Sequence, residues 1–184
     1  VTGGSGDIGR AIAKRLASEG SNILITYAEA EDRAETTLSE IIQAGGVAQS
    51  FKLDQRNPED IEKVIAYVQN EFGALDILVN NAAWNIGIPF PELQKLTPDI
   101  WDRVLETNLR APFLLARAAA SLLKVGGGHV VNISSAGGIT PGSSSIAYSS
   151  SKAGLNHLTR CLAVAMAPDV SVNCVAPGLV EDTR

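Results

Sequence analysis

Val1-Thr2-Gly3-Gly4-Ser5-Gly6-Asp7-Ile8-Gly9 opens the chain, and the twelve residues from Ile8 to Glu19 continue as an amphipathic helical stretch. A glycine-rich turn feeding a helix lets a backbone come close to a pyrophosphate. The helix N-terminus then supplies amides and the positive end of a dipole. On this reading Gly3, Ser5, Gly6, Asp7, Ile8 and Gly9 are candidate cofactor-binding residues. Asp7 is the awkward one. Its carboxylate serves as a helix N-cap or points away, because beside a pyrophosphate it is unfavourable.

Outward from this turn, apolar runs of strand length alternate with helical patterns. Strands are predicted at Asn22–Tyr27, Val47–Leu53, Leu75–Asn80, His129–Ile133 and Val170–Val175. Helices are predicted at Ile8–Glu19, Asp32–Ala44, Pro58–Phe72, Thr97–Lys124 and Tyr148–Ala167. Continuous apolar strands separated by helices belong to a parallel sheet covered on both faces. Right-handed crossovers make it a doubly wound, Rossmann-like α/β domain whose ligand lies at the carboxyl ends of the strands. The 184 residues suffice for one such domain. The abrupt start at Val1 and the stop at Arg184, just after a Pro-Gly turn, suggest a domain truncated at both ends.

The bulk numbers exclude several classes. A net charge of −5 without a basic run argues against a nucleic-acid partner, and no apolar stretch reaches the ~20 residues of a membrane span. Two cysteines, Cys161 and Cys174, give neither a disulfide framework nor metal-ligand spacing, consistent with a cytoplasmic setting. His129 and His157 stand apart from any ligand cluster, so no metal is expected.

Chemistry is carried by Tyr148-Ser-Ser-Ser-Lys152. Residues four apart share a helix face, and an ammonium beside a phenol favours the phenolate. That would tune Tyr148 for proton transfer near neutral pH. Ser135 ends the strand Val130-Val131-Asn132-Ile133-Ser134-Ser135 at the sheet edge where ligands bind, and its hydroxyl can donate to a carbonyl oxygen. Ser134 is its rival. Pro112 lies inside Thr97–Lys124. Lacking an N–H, it leaves the carbonyl of Asn108 without its helical partner and should kink the helix.

Taken together, these residues resemble the short-chain dehydrogenase/reductase family along nearly the whole chain. The opening is similar to its Thr-Gly-x-x-x-Gly-x-Gly, with Asp7 where a glycine usually stands. Asn80-Asn81-Ala82-Ala83 is similar to its Asn-Asn-Ala-Gly, with Ala83 replacing the glycine. The resemblance assigns the catalytic roles to Asn108, Ser135, Tyr148 and Lys152. It adds Tyr27, Asp54, Gln55, Asn81, Ala82, Ala83, Tyr148, Lys152, Pro177, Gly178 and Thr183 to the cofactor contacts, Thr183 lying one residue late. It gives Lys152 the nicotinamide ribose and Tyr148 the role of general acid in reduction and general base in oxidation. It also implies that an ordered water on the Asn108 carbonyl relays protons toward Lys152.

The implied activity is an NAD(P)-dependent interconversion of an alcohol and a ketone or aldehyde. The substrate is a small carbonyl or alcohol compound, either 3-oxoacyl-like or a sugar or polyol. A dinucleotide-binding sensor or scaffold with little turnover is the alternative, supported only by Asp7 and Ala83. The second strand ends Tyr27-Ala28-Glu29, without the expected Asp; this leans toward NADP(H) over NAD(H), while Glu29 and the lack of an adjacent arginine count the other way. Arg33 lies one turn further, on a face read as solvated. Trp84, Ile86 and Phe90 either line a substrate entrance or pack on the next helix. Family resemblance further implies a homodimer or homotetramer paired through the two longest helices.

Overall fold

In the computed structural model, which describes residues 1–181 and 183, each predicted strand and four of the five predicted helices form within two residues of their expected ends. In chain order these are α1 (Asp7–Ser18), β1 (Asn22–Tyr27), α2 (Glu31–Gln43), β2 (Val47–Lys52), α3 (Pro58–Phe72) and β3 (Ile77–Asn80). The second half contributes α4 (Pro98–Leu105), α5 (Ala111–Val125), β4 (His129–Ile133), α6 (Ile146–Met166) and β5 (Ser171–Val175). Local chemistry sets several of these ends. Asn57 caps α3 by accepting the Glu59 N–H, Pro58 takes the first helical position, and Gly73 closes the helix in the left-handed region at φ 70°.

The single helix expected over Thr97–Lys124 is divided. Between α4 and α5, Glu106–Arg110 forms a π-helical turn centred on Asn108. Pro112 supplies no N–H to the turn before it, and the widened backbone accommodates that gap, so the predicted kink is a π-bulge.

All strand pairs are parallel. Two ladders form, β1–β2 and β3–β4–β5, rather than one uninterrupted sheet. Residues 1–4 stitch them together. On one side Thr26 N donates to the Val1 carbonyl at 3.0 Å and Gly4 N donates to the Thr26 carbonyl at 3.0 Å; on the other Thr2 N donates to Val79 O at 2.9 Å. The spatial order is therefore β2, β1, residues 1–4, β3, β4, β5, which puts the glycine turn at the switch point of the fold.

Alternation along β1 shows helices on both faces. Ile23, Ile25 and Tyr27 pack with Ala13 of α1 and with Ala34 and Ile41 of α2. Leu24, facing the other way, joins the core that α3, α5 and α6 build around Leu78, Val130 and Val172. Among the described residues, no helix is long and apolar enough to cross a membrane.

Candidate active site

Ser145 is fully buried, and its hydroxyl accepts the Tyr148 N–H at 3.2 Å, capping the helix that carries Tyr148 and Lys152. One turn on, Ser151 and Lys152 face inward. Lys152 is 2 % exposed and donates to the Ile133 carbonyl at 2.7 Å, with its Nζ 5.6 Å from the Tyr148 ring centroid. The two serines at the end of β4 divide their duties. Ser134 is buried and donates to the Lys152 carbonyl at 3.2 Å, tying α6 to the strand, whereas Ser135 interacts with the Tyr148 hydroxyl and accepts Gly137 N at 3.1 Å. Ser135, not Ser134, therefore faces the phenol.

Electrostatics differ from the sequence expectation. Burial pushes the Tyr148 phenol above its ordinary value, and the Ser135 hydroxyl only partly offsets this. Burial also lowers Lys152, to about 8, with Cys174 opposing weakly. The expected depression of Tyr148 by Lys152 is absent here, because the ammonium is turned onto the Ile133 carbonyl and is itself desolvated. Tyr148 thus stays protonated at neutral pH, ready to donate.

The Asn108 side chain, 1 % exposed, clamps the segment after β3. Its Nδ2 donates to Trp84 O at 2.9 Å and to Ser151 Oγ at 3.2 Å, while its Oδ1 accepts Trp84 N at 2.8 Å. A buried amide therefore joins the π-bulge, the Trp84 backbone and α6. The ring of Trp84 lies beneath the Arg103 guanidinium at 4.3 Å.

The glycine turn is tightly built. Gly3 has φ +63°, and a Cβ there would sit 2.9 Å from Ala82 Cα. A Cβ at Gly9 would lie 2.3 Å from the Gly3 carbonyl. Gly6 is the N-cap of α1 and carries no side chain to cap it. The N-terminal turn of α1, Ile8 included, offers backbone donors of the kind that suit an anion. Thr2 holds the turn against β3, its hydroxyl accepting the backbone N–H groups of Asn81 and Ala82 at 3.0 Å each.

Beside the turn lies a cavity of about 650 Å³ whose walls include Gly3, Ser5, Gly6, Tyr27, Asp54, Gln55, Ala82, Ala83 and Trp84. Several of these side chains are already engaged. Gln55 donates to Ala82 O at 3.2 Å and to Thr107 O at 2.9 Å, bolting the loop to the π-bulge. The Tyr27 hydroxyl donates to Glu31 at 3.0 Å, and Asn81, which is not part of the wall, donates to Thr2 O at 2.9 Å. Asp54 takes Arg56 in a fork, at 3.0 and 2.6 Å, and this guanidinium lowers its carboxyl below the usual range. Pro177 accepts Ala136 N at 2.8 Å, which sets the turn with Gly178 beside Ser135. Thr183 is exposed and donates to Val180 O at 2.8 Å.

Asp7 is not part of the cavity wall. Its carboxylate pairs with Arg33 of α2 at 2.9 Å. Of the two placements expected for Asp7, the structure shows the carboxylate pointing away from the turn, toward a cation; the reading of Arg33 as solvated is corrected, since it takes this carboxylate. The pairing became available only when α1 and α2 were laid side by side. Signals for Thr2 and Ser145 were weaker still. Only Ser145, three residues before Tyr148, carried a readable capping spacing.

The glycine cradle, the uncapped helix start and the adjacent cavity fit a dinucleotide, and comparisons with known proteins agree. The short chain dehydrogenase family model matches residues 1–184. The 3-oxoacyl-acyl-carrier-protein reductase FabG of Aquifex aeolicus is 39% identical over 184 residues, spanning 98% of this chain and 73% of that protein. A dehydrogenase/reductase from Sinorhizobium meliloti 1021 superimposes with a TM-score of 0.91 at 42% identity, covering 98% of this chain and 71% of that one. An actinorhodin polyketide ketoreductase solved with NADPH gives 0.91 at 36% identity, over 98% and 69% of the two chains. The chain belongs to the short-chain dehydrogenase/reductase family and is an NAD(P)-dependent oxidoreductase acting on an alcohol or carbonyl group.

Proposed function

We propose that the chain reduces a ketone of the 3-oxoacyl type, with Tyr148 as the proton donor and NADP(H) preferred over NAD(H). The observation that carries this reading is the meeting of Ser135, Tyr148 and Lys152 at the carboxyl end of β4, with the Tyr148 phenol raised by burial. The Tyr148 phenol can give its proton in carbonyl reduction, and its phenolate can take one in alcohol oxidation. Ser135 donates to the substrate oxygen and sets it against Tyr148, whose O–H proton passes to that oxygen as the carbon is reduced. Lys152 orients the ribose through its Nζ and stabilises the phenolate left behind. Asn108 acts as a positioning residue through its hold on Trp84 and Ser151.

When bound, the nicotinamide supplies the hydride. Gly3, Ser5, Gly6, Ile8 and Gly9 would hold its pyrophosphate, with Tyr27, Asp54, Gln55, Asn81, Ala82 and Ala83 around the adenosine half. Pro177, Gly178 and Thr183 would lie on the nicotinamide side. The acyl assignment draws on the reductase activities named for FabG of Aquifex aeolicus and the actinorhodin ketoreductase. Residues 1–184 act as one dinucleotide-binding domain of a cytoplasmic enzyme. A groove of about 590 Å³ lined by Leu105, Leu109, Phe113 and Leu158 supports pairing of α4, α5 and α6 between subunits in a homodimer or homotetramer.

The test is a fluorescence titration with NADPH and NADH, followed by a carbonyl panel containing 3-oxoacyl thioesters, sugars and simple ketones. Consumption of reduced dinucleotide with the thioesters is expected. Binding without turnover on any carbonyl would instead make the chain a dinucleotide-binding scaffold.

A further inference from the structure

Helices α1 and α2 are joined at two places. Toward their far ends, Glu40 takes both Arg10 and Lys14, the latter at 2.9 Å. At the end beside the cavity the pair is Asp7–Arg33. Packing of Ala13 with Ala34 and Ile41 holds the helices together, and the buried Thr37 hydroxyl donates to Gly4 O at 3.2 Å. The Asp7–Arg33 pair lies elsewhere in character. Asp7 follows Gly6, and Arg33 follows the Tyr27–Ala30 segment; both Gly6 and that segment line the cavity. In a dinucleotide fold, the end of that strand is where the adenosine ribose 2′-position is read.

The other charges near that position are already committed or opposed. Glu29 brings negative charge to the wall, Arg56 is forked onto Asp54, and Arg103 is stacked over Trp84. Lys52, paired in register with Tyr27, is the rival cation. Arg33 differs from it in two respects. Its planar fork matches a phosphate, and its present partner is replaceable, since the side chains of the Asp7–Arg33 pair are 29 and 46 % exposed and such pairs are weak.

We infer that Arg33 is the residue through which this chain selects NADP(H), and that Asp7 restrains it: the 2′-phosphate binds by replacing the Asp7 carboxylate on the Arg33 guanidinium. The inference rests on the dinucleotide reading above. Asp7 therefore acts at the ribose end of the cofactor, through Arg33, and not at the pyrophosphate. A carboxylate in the glycine turn becomes a brake on NADP(H) that leaves NAD(H) untouched.

Fluorescence titrations of NADPH and NADH on the wild type, Asp7→Asn, Arg33→Ala, Arg33→Lys and Lys52→Ala test this, with melting curves confirming that each variant folds. Arg33→Ala should weaken NADPH by about tenfold, as expected for a lost charge-assisted contact, and NADH by less than about twofold. Asp7→Asn should tighten NADPH roughly threefold, the scale of a half-exposed ion pair, without moving NADH. Arg33→Lys should fall between wild type and Arg33→Ala for NADPH. Equal effects on both dinucleotides, no effect on either, or a selective loss in Lys52→Ala in place of Arg33→Ala would overturn the inference while leaving dinucleotide binding intact. If the wild type bound neither dinucleotide, the inference and the reading beneath it would fall together.

Discussion

The two halves of the site are held by different physics. On the cofactor side, α1 and α2 are bridged by partly exposed ion pairs, Asp7–Arg33 and Glu40 with Arg10 and Lys14, and Asp54–Arg56 braces the loop after β2. On the reaction side, buried neutral hydrogen bonds dominate. Asn80 Nδ2 donates to Asn132 at 2.8 Å, Asn132 donates to Thr159 at 2.9 Å, and Ser134 and Asn108 tie α6 to its neighbours. Exposed pairs contribute little and rearrange readily, whereas a buried donor left alone is costly. The cofactor wall can thus exchange partners when a charged ligand arrives. Tyr148 and Lys152, by contrast, sit on a helix fixed from three sides.

This contrast can be broken from either side. The largest effect is expected at the proton donor: Tyr148→Phe should lower turnover by about a thousandfold, with dinucleotide affinity nearly unchanged. Stopped-flow turnover and a binding titration on one preparation check it. Full activity in the variant would remove Tyr148 from the chemistry.

Next comes the buried ladder. Asn132→Ala leaves the Asn80 amide without its acceptor and should cost roughly 2–3 kcal/mol in urea unfolding, with a parallel fall in kcat as α6 loses an anchor. Lys152→Met should act on stability and activity in opposite directions. Lys152 is 2 % exposed, and its folded value of about 8 lies below the ordinary 10.5. Below about 8 both states carry the proton and the burial penalty is complete; between 8 and 10.5 the folded form sheds it first, so the penalty shrinks as pH rises. The variant should therefore be inactive yet more stable at neutral pH, by on the order of 2 kcal/mol, with the gain fading toward alkaline pH. A flat stability difference across that range would refute the desolvation cause.

The smallest effect belongs to the outer clamp. Glu40→Gln should cost less than about 1 kcal/mol, and less again at high salt. A larger, salt-insensitive loss would erase the distinction between the two halves.

The elements themselves were readable from the chain because each signal is local. Thr97-Pro98 suits a helix start, apolar runs announce strands, and Tyr148 and Lys152 share a face by spacing alone. Asn108 and Pro112 marked the break in the long helix, although its form, a π-bulge, depends on backbone relaxation that spacing does not specify. Ser134 and Ser135 were not separable by motif-free reasoning. Only the docking of α6 turns one onto the Lys152 carbonyl and the other toward the phenol.

By itself, the sequence determined the βα alternation, the parallel sheet and the glycine turn that opens a helix, because periodicity and turn chemistry act over a few residues. It also marked out the candidate catalytic set in a recognisable order. Tertiary structure alone decided that Lys152 faces the Ile133 carbonyl, that Tyr148 is raised rather than lowered, and that Asp7 answers Arg33 across two helices. Burial and partner choice depend on which elements pack together, and the residues that meet there lie 19, 13 and 26 positions apart. The glycine turn with which the chain opens is thus more than a cradle: its one carboxylate is held by a cation from the next helix.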